Sequence, residues 1–425
     1  MLSHSAVDLR TFVPRGGLVA WVVCLSAGLF FLYEFFQLNI FDVINQPLRD
    51  DFHMDAAQLS WMSSSYLWAD ILFLLPAGVI LDRFSTRNVI LTALLVCVIG
   101  TVGFAVTSSF AVASFCHFLS GIGNAFSFLA CVVLVSRWFP PRRQALVIGS
   151  IVTMAFIGGM MAHTPFACLY DLFGWRRALL IDGAVGAFIF LLIYWVVKDQ
   201  PEDSPARIKT NQGHVLSDLV KALYNPQNWL AGLYTSFLNL PVMVLCALWG
   251  ASYLQTVHHL SDMAASNMVS LIFMGSIVGC PLVGWLSDTQ GARKPIMIIG
   301  AVATLLTLIP LFLDVPLTQW SLSVIFIALG FFTSTQVIAY PLIAESNAAE
   351  NTGAAIGIAS VIVMGGGGVG QVLFGWLMAK NEGIHTVAYS IADFQFAMWM
   401  FPIAAVAALI MVLLIHETFC KRETL

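Results

Sequence analysis

Twelve long apolar runs constrain what this chain can fold into more than any other feature of the sequence. An apolar run of about 20 residues is long enough to cross a lipid bilayer as an α-helix. The alternation of apolar and polar positions that is typical of a membrane β-barrel strand is absent. The sequence therefore predicts an all-α membrane protein with twelve transmembrane helices, at approximately 18–44, 57–81, 88–107, 110–136, 144–171, 178–197, 228–256, 264–287, 295–313, 319–341, 353–378 and 393–415.

The composition excludes several other classes of protein. Only 10% of the residues are charged, whereas an average soluble domain has about 25%, which argues against a soluble enzyme or a disordered chain. Seven of the eight cysteines lie in apolar runs and none forms a CxxC pair, so we expect core side chains and no disulfide scaffold, metal site or cofactor. A net charge of -4 provides no basic surface for nucleic acid.

The Lys and Arg residues predict the orientation of the spans, because basic residues that flank spans are retained in the cytoplasm. With both termini cytoplasmic, fifteen of the nineteen basic residues lie inside and four outside. The polar N-terminal segment is too long for the n-region of a signal peptide, and no small-residue cleavage site follows it, so we expect the first span to be retained. The inside set is Arg10, Arg15, Arg83, Arg87, Arg137, Arg142, Arg143, Lys198, Arg207, Lys209, Lys221, Arg293, Lys294, Lys421 and Arg422, and the outside set is Arg49, Arg176, Arg177 and Lys380.

An internal repeat divides the chain into two halves. A long polar stretch after the sixth span predicts an N-terminal six-helix bundle at 1–197, a cytoplasmic linker at 198–227 and a C-terminal six-helix bundle at 228–425. A short pattern of glycine, aspartate and arginine follows the second span and recurs 206 residues later, after the eighth. Repetition at equivalent positions indicates two structurally related halves. The matching residues are Gly78, Asp82 and Arg87 in the first copy and Gly284, Asp288 and Arg293 in the second.

At these residues the sequence resembles the major facilitator superfamily. The family's loop motif after the second span is matched by Gly78, Asp82, Arg83 and Arg87, and a second copy is formed by Gly284, Asp288, Arg293 and Lys294. The resemblance implies twelve helices in two six-helix bundles related by a pseudo-two-fold axis, with alternating access to a central cavity. It also implies that the charged residues of the motif act as a cytoplasmic gate, which would open as the bundles rock.

Two departures from the family pattern bear on the function. His117 stands where the fourth span of the family usually has an arginine, so an arginine-based proton or anion role is not expected there. The fifth span has Gly158 and Gly159 but lacks the Gly-Pro pair of the antiporter signature, which favours uptake over efflux. The segment at 50–66 is similar in style to organic-solute symporters and to amino-acid-type nutrient importers of intracellular bacteria.

Three ionisable residues in the N-terminal half are candidates for proton coupling. Charged groups are costly in a membrane and therefore mark transport pathways. Glu34 lies in the middle of the first span, between Tyr33 and Gln37, and Asp70 lies in the middle of the second. A structural carboxyl, hydrogen-bonded to a neighbour, is the alternative for both. His117 belongs to a polar stripe in the fourth span, where a histidine can be either a proton carrier or a packed core residue. The companions expected in the cavity are Tyr33, Gln37, Tyr66 and Asn124.

The C-terminal half offers polar residues at helical spacing in two spans. Thr235 and Asn239 lie four residues apart in the seventh span, before Pro241, which we expect to kink the helix. The tenth span carries three more polar candidates for the cavity, Thr333, Gln336 and Tyr340. In the resembled fold, spans one, four, seven and ten line the cavity. Small polar groups also join membrane helices without touching a ligand, and this alternative stays open. The glycine-rich eleventh span predicts close helix packing.

The sequence as a whole predicts a secondary active transporter in the inner or plasma membrane. It has no GxxxxGK[ST] motif for ATP, so a gradient, most simply of protons, must supply the energy. No span carries a central Lys or Arg, which disfavours phosphates and multiply charged anions. We expect a monomer that imports an amino acid, a nucleoside or a small peptide by proton symport. The alternatives are proton-driven efflux of cationic or amphiphilic compounds and, more remotely, a transporter-like sensor or an intramembrane enzyme.

Overall fold

The computed structural model describes residues 17–139, 141–200, 215–312, 317–347, 352–381 and 390–420. Within these ranges the chain is helical and contains no β-strand. The α-helices are α1 (Gly17–Val43), α2 (Asn45–Phe52), α3 (Ala56–Arg83), α4 (Thr86–Val106), α5 (Phe110–Trp138), α6 (Pro141–Met161), α7 (Thr164–Phe173), α8 (Trp175–Val196), α9 (Val215–Tyr224), α10 (Pro226–Pro241), α11 (Gly250–His258), α12 (Asp262–Gln290), α13 (Lys294–Leu308), α14 (Gln319–Thr333), α15 (Ala339–Glu345), α16 (Thr352–Asn381), α17 (Ile391–Met398) and α18 (Met400–Leu414).

The predicted transmembrane helices are present. Eleven helical stretches of the described chain are long and apolar enough to cross a membrane. They lie at eleven of the twelve positions predicted from the sequence, and the all-α membrane class is confirmed. The remaining position is occupied by α3, a helix of 28 residues, whose crossing of the membrane stays a prediction. Its length is well above the roughly 20 residues that a span needs.

Several spans consist of consecutive helical segments because their α-helical hydrogen bonding is interrupted. α6 and α7 are separated at His163, next to Pro165, which has no backbone N–H to donate. The interruption predicted at Pro241 takes the form of a π-helical segment, Val242–Trp249, that joins α10 to α11. Such wider turns are uncommon and are often found at functional sites. Short 3₁₀ segments, Ile309–Phe312 and Ser334–Ile338, occur after α13 and α14.

The predicted linker is partly helical. Residues 201–214 lie outside the described residues, as do the predicted inside residues Arg10, Arg15, Arg207, Lys209, Lys421 and Arg422. The described remainder of the linker contains α9, which packs against α16 through a face that includes the buried Ala222. α10 begins at Pro226, two residues before the predicted start of the C-terminal bundle, because Asn225 caps its first turn by accepting a hydrogen bond from the Gln227 amide.

Equivalent close approaches occur in the two halves. In the N-terminal half, a Cβ added to Gly121 of α5 would lie 2.2 Å from the carbonyl oxygen of Tyr66 in α3. In the C-terminal half, a Cβ added to Gly330 of α14 would lie 1.9 Å from the carbonyl oxygen of Ile272 in α12. Only glycine allows backbones to approach this closely. The same helix pair is therefore built in the same way in each half, which agrees with the repeat seen in the sequence.

Among the described residues, the contacts between the two halves lie towards one end of the bundle. We call the end that holds Arg83, Lys198 and Lys294 the linker end, and the opposite end, where α1 ends and α3 begins, the distal end. The contact between α3 and α16 runs from Ser60 and Gly375 at the distal end to Ile71 and Gly365, where a Cβ added to the glycine would lie 3.8 Å from the Ile71 side chain.

Closer to the linker end, the glycines of α16 face open space among the described residues. A Cβ added to Gly353 or Gly357 would have no described atom within 4 Å apart from its own helix. The close packing predicted for this glycine-rich span is therefore found at Gly366 and Gly370, which lie against Ser236 and Leu240 of α10, and not at Gly353 and Gly357. Among the described residues, the two halves are therefore in contact at the distal end and apart at the linker end.

Candidate functional site

A cluster of three buried carboxyl groups lies inside the N-terminal half. We define the carboxyl cluster as Glu34 of α1, Asp70 of α3 and Asp182 of α8, all at most 5% exposed. The Tyr66 hydroxyl donates a hydrogen bond of 2.7 Å to Oε2 of Glu34. Oε1 of Glu34 has no hydrogen-bond partner among the described residues. A Cβ added to Gly123 of α5 would lie 2.2 Å from that oxygen, so the glycine makes room for the carboxyl group.

Asp182 is a member of the cluster that the sequence did not single out. The Gln37 side-chain amide donates to Oδ2 of Asp182, and the Tyr33 hydroxyl lies 3.3 Å from the Asp182 carbonyl oxygen. Asp182 was overlooked because it is close to the start of the predicted sixth span. In the structure α8 begins at Trp175, three residues before the predicted start, and this places the aspartate about two turns inside the helix. An isolated acid in an apolar run was the signal available in the sequence.

The predicted coupling candidates are close to one another but are not all in direct contact. The Asp70 carboxyl group lies beside the side chain of Asn124 in α5. The His117 ring stacks on Phe41, with centroids 4.2 Å apart, and its centroid lies 5.3 Å from that of Tyr66. A cavity of about 10 Å³ adjoins His117, Gln37 and Ser120, which is close to the smallest volume that can hold one water. Tyr66 thus contacts Glu34 through its hydroxyl and His117 through its ring.

Polar candidates of the C-terminal half form a second group. The Gln336 side-chain amide donates to Oδ1 of Asn239 over 3.0 Å, and the Thr235 hydroxyl donates to the Gln336 carbonyl oxygen over 3.3 Å. The Tyr340 hydroxyl lies beside Ser360 of α16. Thr333 does not join this group, because its hydroxyl donates to the Leu329 carbonyl within its own helix. The structure thus brings Thr235, Asn239 and Gln336 together, whereas the described contacts of Tyr340 and Thr333 are made elsewhere.

The second copy of the loop motif forms an ion-pair network at the linker end. The Arg293 guanidinium contacts Asp288 at 2.6 Å and Glu345 at 2.7 Å. The Glu417 carboxylate accepts hydrogen bonds from the backbone amides of Arg293 and Lys294. Burial opposes ionisation of Glu417, but these backbone hydrogen bonds outweigh it and hold the pKa of the carboxyl below its ordinary value. The Lys294 ammonium donates to the carbonyl oxygens of residues 413 and 415.

In the first copy of the motif, a carboxylate likewise accepts a hydrogen bond from the backbone amide of the arginine. The Asp199 carboxylate accepts a hydrogen bond of 2.8 Å from the Arg87 amide, as Glu417 does from Arg293. The Arg87 guanidinium donates to the Tyr194 carbonyl and lies 4.9 Å from the centre of that ring. Arg83 is exposed, and the side chain of Asp82 lies outside the described residues. These contacts each stay within one half. Gly78 and Gly284 have open space beside them, since an added Cβ at either would meet no described atom closer than 4.0 Å.

At the distal end, polar contacts join the two halves directly. Nδ2 of Asn45 donates to the Leu248 carbonyl over 2.7 Å, and the Trp249 indole donates to the Ser60 hydroxyl over 3.2 Å. The Ser63 hydroxyl donates to Oε1 of Gln371 over 3.1 Å. These side chains are buried. The sequence did not point to them, because each contact joins residues more than 180 positions apart.

Comparison with known proteins places these features in a family. The family model described as Major Facilitator Superfamily matches residues 23–370 and 243–421. The chain is 23% identical over 319 residues to the probable hexose phosphate transport protein of Chlamydia muridarum, covering 68% of this chain and 70% of that protein. It is 24% identical over 327 residues to the membrane sensor protein UhpC of Escherichia coli, covering 72% of each.

Solved structures show the same fold. A bacterial homologue of the human lysosomal transporter Spinster, in an inward-facing and occupied conformation, aligns with a TM-score of 0.76 at 18% identity. The alignment covers 92% of this chain and 96% of that structure.

Proposed function

Because the chain belongs to the major facilitator superfamily, we propose that it is a secondary active transporter that imports a small polar organic solute together with protons. The single observation that carries the proton coupling is the carboxyl cluster. Glu34, Asp70 and Asp182 are buried among helices of one half, and among the described residues no Lys or Arg forms an ion pair with them.

Such a cluster favours proton exchange for a physical reason. An ionised carboxyl in the middle of a membrane span costs at least about 2.5 kcal/mol, and protonation removes this cost. When the bundle opens and water reaches the group, the ionised form becomes stable and the proton is released. Tyr66 and Gln37 already satisfy one oxygen of Glu34 and of Asp182, so each carboxyl keeps a second oxygen on which a proton can reside.

The polar groups of the C-terminal half indicate the chemistry of the solute. Asn239, Gln336 and Tyr340 offer amide and hydroxyl groups but no charge. Phosphate recognition relies on Arg or Lys, so the hexose phosphate named for the Chlamydia relative is not carried over to this chain. A neutral or zwitterionic solute, such as an amino acid, a nucleoside or a small peptide, fits these groups better.

The conformation supports alternating access. The halves are joined at the distal end and parted at the linker end. If the linker end faces the cytoplasm, as the distribution of Lys and Arg predicts, this is the inward-facing state of an importer in the plasma or inner membrane. The structure would then release solute and proton into the cytoplasm.

The test is reconstitution into proteoliposomes. A thermal-shift screen of amino acids, nucleosides and small peptides first identifies a ligand, because binding to the folded state raises the melting temperature. With one proton per solute, a gradient of one pH unit should drive about tenfold accumulation. The variant Glu34→Gln/Asp70→Asn should lose this accumulation and keep solute exchange between loaded vesicles. Asp171→Asn, at an exposed carboxyl, is the matched control.

Two results would contradict the proposal. Unchanged accumulation in the double variant would show that neither carboxyl carries the proton. Extrusion of a cationic or amphiphilic compound against the pH gradient would favour the efflux alternative. A chain that binds its ligand without moving it would instead be a sensor, the second candidate, which is favoured by the similarity to UhpC over 72% of the chain.

A further inference from the structure

A second buried acid, outside the carboxyl cluster, lies where the two halves meet. Asp42 is near the end of α1, and His163 is in the interruption between α6 and α7. Both side chains are fully buried, with Nδ1 of His163 3.5 Å from Oδ2 of Asp42. Oδ1 of Asp42 accepts a hydrogen bond of 2.8 Å from the Ala251 amide in the C-terminal half. The carboxyl group therefore connects the two halves at the distal end.

Among the described residues, neither Asp42 nor His163 forms an ion pair with any other side chain. Oδ2 of Asp42 and both imidazole nitrogens of His163 have no hydrogen-bond partner among the described residues. α12 contributes the Phe273 ring, 5.8 Å from the imidazole, and α11 contributes the Ala251 amide. The π-helical segment places the Cys246 thiol near Asp42, and among the described residues this thiol is the further titratable group that these elements bring to the pair.

Because Asp42 and His163 are buried together, the pair must hold a proton to be stable. An ionised Asp42 beside a neutral His163 would be a buried charge without a counter-charge, which is strongly unfavourable. One proton on the pair, whether written as aspartate with imidazolium or as two neutral groups, removes that imbalance. Once the distal end opens and both groups are hydrated, an aspartate is ionised above about pH 4 and a histidine is mostly neutral above about pH 6.5. The hydrated pair then holds no proton at pH 7.5 or higher.

We propose that closing the distal end takes up one proton from solution, held between Asp42 and His163, and that opening this end returns it. The pair is a proton-linked gate between the halves, separate from the solute-binding groups. This inference rests on the proposed alternating access and deepens the proposed proton coupling, because a lower pH on the distal side would favour closure of that side.

The gate can be tested by distance measurement between spin labels at Ser108 and Gln319, which are exposed at the distal end, one in each half. The labels are placed in a chain whose more accessible thiols, Cys168, Cys280 and Cys420, are changed to serine. Without solute or a gradient, the ratio of closed to open populations should rise by up to about tenfold for each pH unit lost between about pH 8.5 and pH 6.5. Below about pH 6.5 it should level off, because the open pair is then protonated as well.

The variant Asp42→Asn/His163→Gln should flatten this dependence. Asparagine keeps an oxygen for the Ala251 amide, so the contact between the halves is retained, and the single variant Asp42→Asn serves if the double variant unfolds. Glu34→Gln/Asp70→Asn should keep the wild-type slope. A wild-type slope in the Asp42→Asn variants, or no slope in the wild type, would overturn the gate. A wild type that shows the slope but accumulates no solute under a pH gradient would overturn the proposed coupling and leave the gate standing.

Discussion

The substitution Gly375→Ala in α16 is the strongest test of the proposal that the distal end is closed in this structure and opens during transport. A Cβ at this position would lie 2.1 Å from Oγ and 2.5 Å from Cβ of Ser60, and 2.6 Å from the Ala56 carbonyl oxygen. All three distances are too short for real atoms, and one of the neighbours is backbone. The helices must therefore move apart, and overpacking of this kind costs about 1–3 kcal/mol.

This strain acts on the conformational equilibrium because α3 and α16 belong to different halves. The clash exists only while the distal end is closed, and opening that end relieves it without unfolding either bundle. A strain of about 1–3 kcal/mol corresponds to a shift of about 5- to 150-fold in the ratio of open to closed populations. We expect Gly375→Ala to raise the open fraction at the distal end by this factor.

The assay is the same distance measurement between labels at Ser108 and Gln319. Gly357→Ala is the matched control, because it lies on the same helix and an added Cβ there would have no described neighbour within 4 Å. It should leave the distal distances in the closed range. A wild-type distance distribution for Gly375→Ala, even with a lowered melting temperature, would refute the reasoning, because the strain would then be absorbed within the bundles.

Two further predictions concern the network at the linker end. Arg293→Ala should lower the free energy of unfolding by about 3 kcal/mol, mainly because Glu345 loses its buried counter-charge. The loss of the pair with Asp288 contributes less, because Asp288 is 69% exposed. Thermal unfolding in detergent measures the change, and a loss below about 1 kcal/mol, the level of a surface pair, would contradict the prediction. Glu417→Gln should lower the melting temperature at pH 7, where the wild-type carboxylate caps α13. Because the pKa of Glu417 is below its ordinary value, its stabilisation is present above about pH 4.3 and disappears as the pH falls through the lowered pKa. The difference between wild type and variant should therefore vanish in strong acid, and a constant difference would show that ionisation of Glu417 is not the cause.

Much of the architecture followed from the sequence because the deciding quantity is local. A run of apolar residues determines whether a helix can cross a membrane, and eleven predicted spans were found where expected. The loop motifs could also be recognised from the sequence, because Asp288 and Arg293 are only five residues apart and contact each other directly. The site was predicted in part. Glu34 and Asp70 stood out as acids in apolar runs, whereas Asp42 and Asp182 were overlooked near the ends of the predicted spans.

By itself, the sequence determined the membrane class, the repeat and the short set of ionisable residues inside the spans. Only the tertiary structure decided which residues meet: Tyr66 with Glu34, and His163 with the overlooked Asp42, pairs separated by 32 and 121 positions. It also decided that Gly375 is packed while Gly357 is open. The physical reason is that hydropathy and spacing act within a helix, whereas burial and pairing depend on how two nearly independent bundles lie against each other, and that arrangement changes as a transporter alternates between its states.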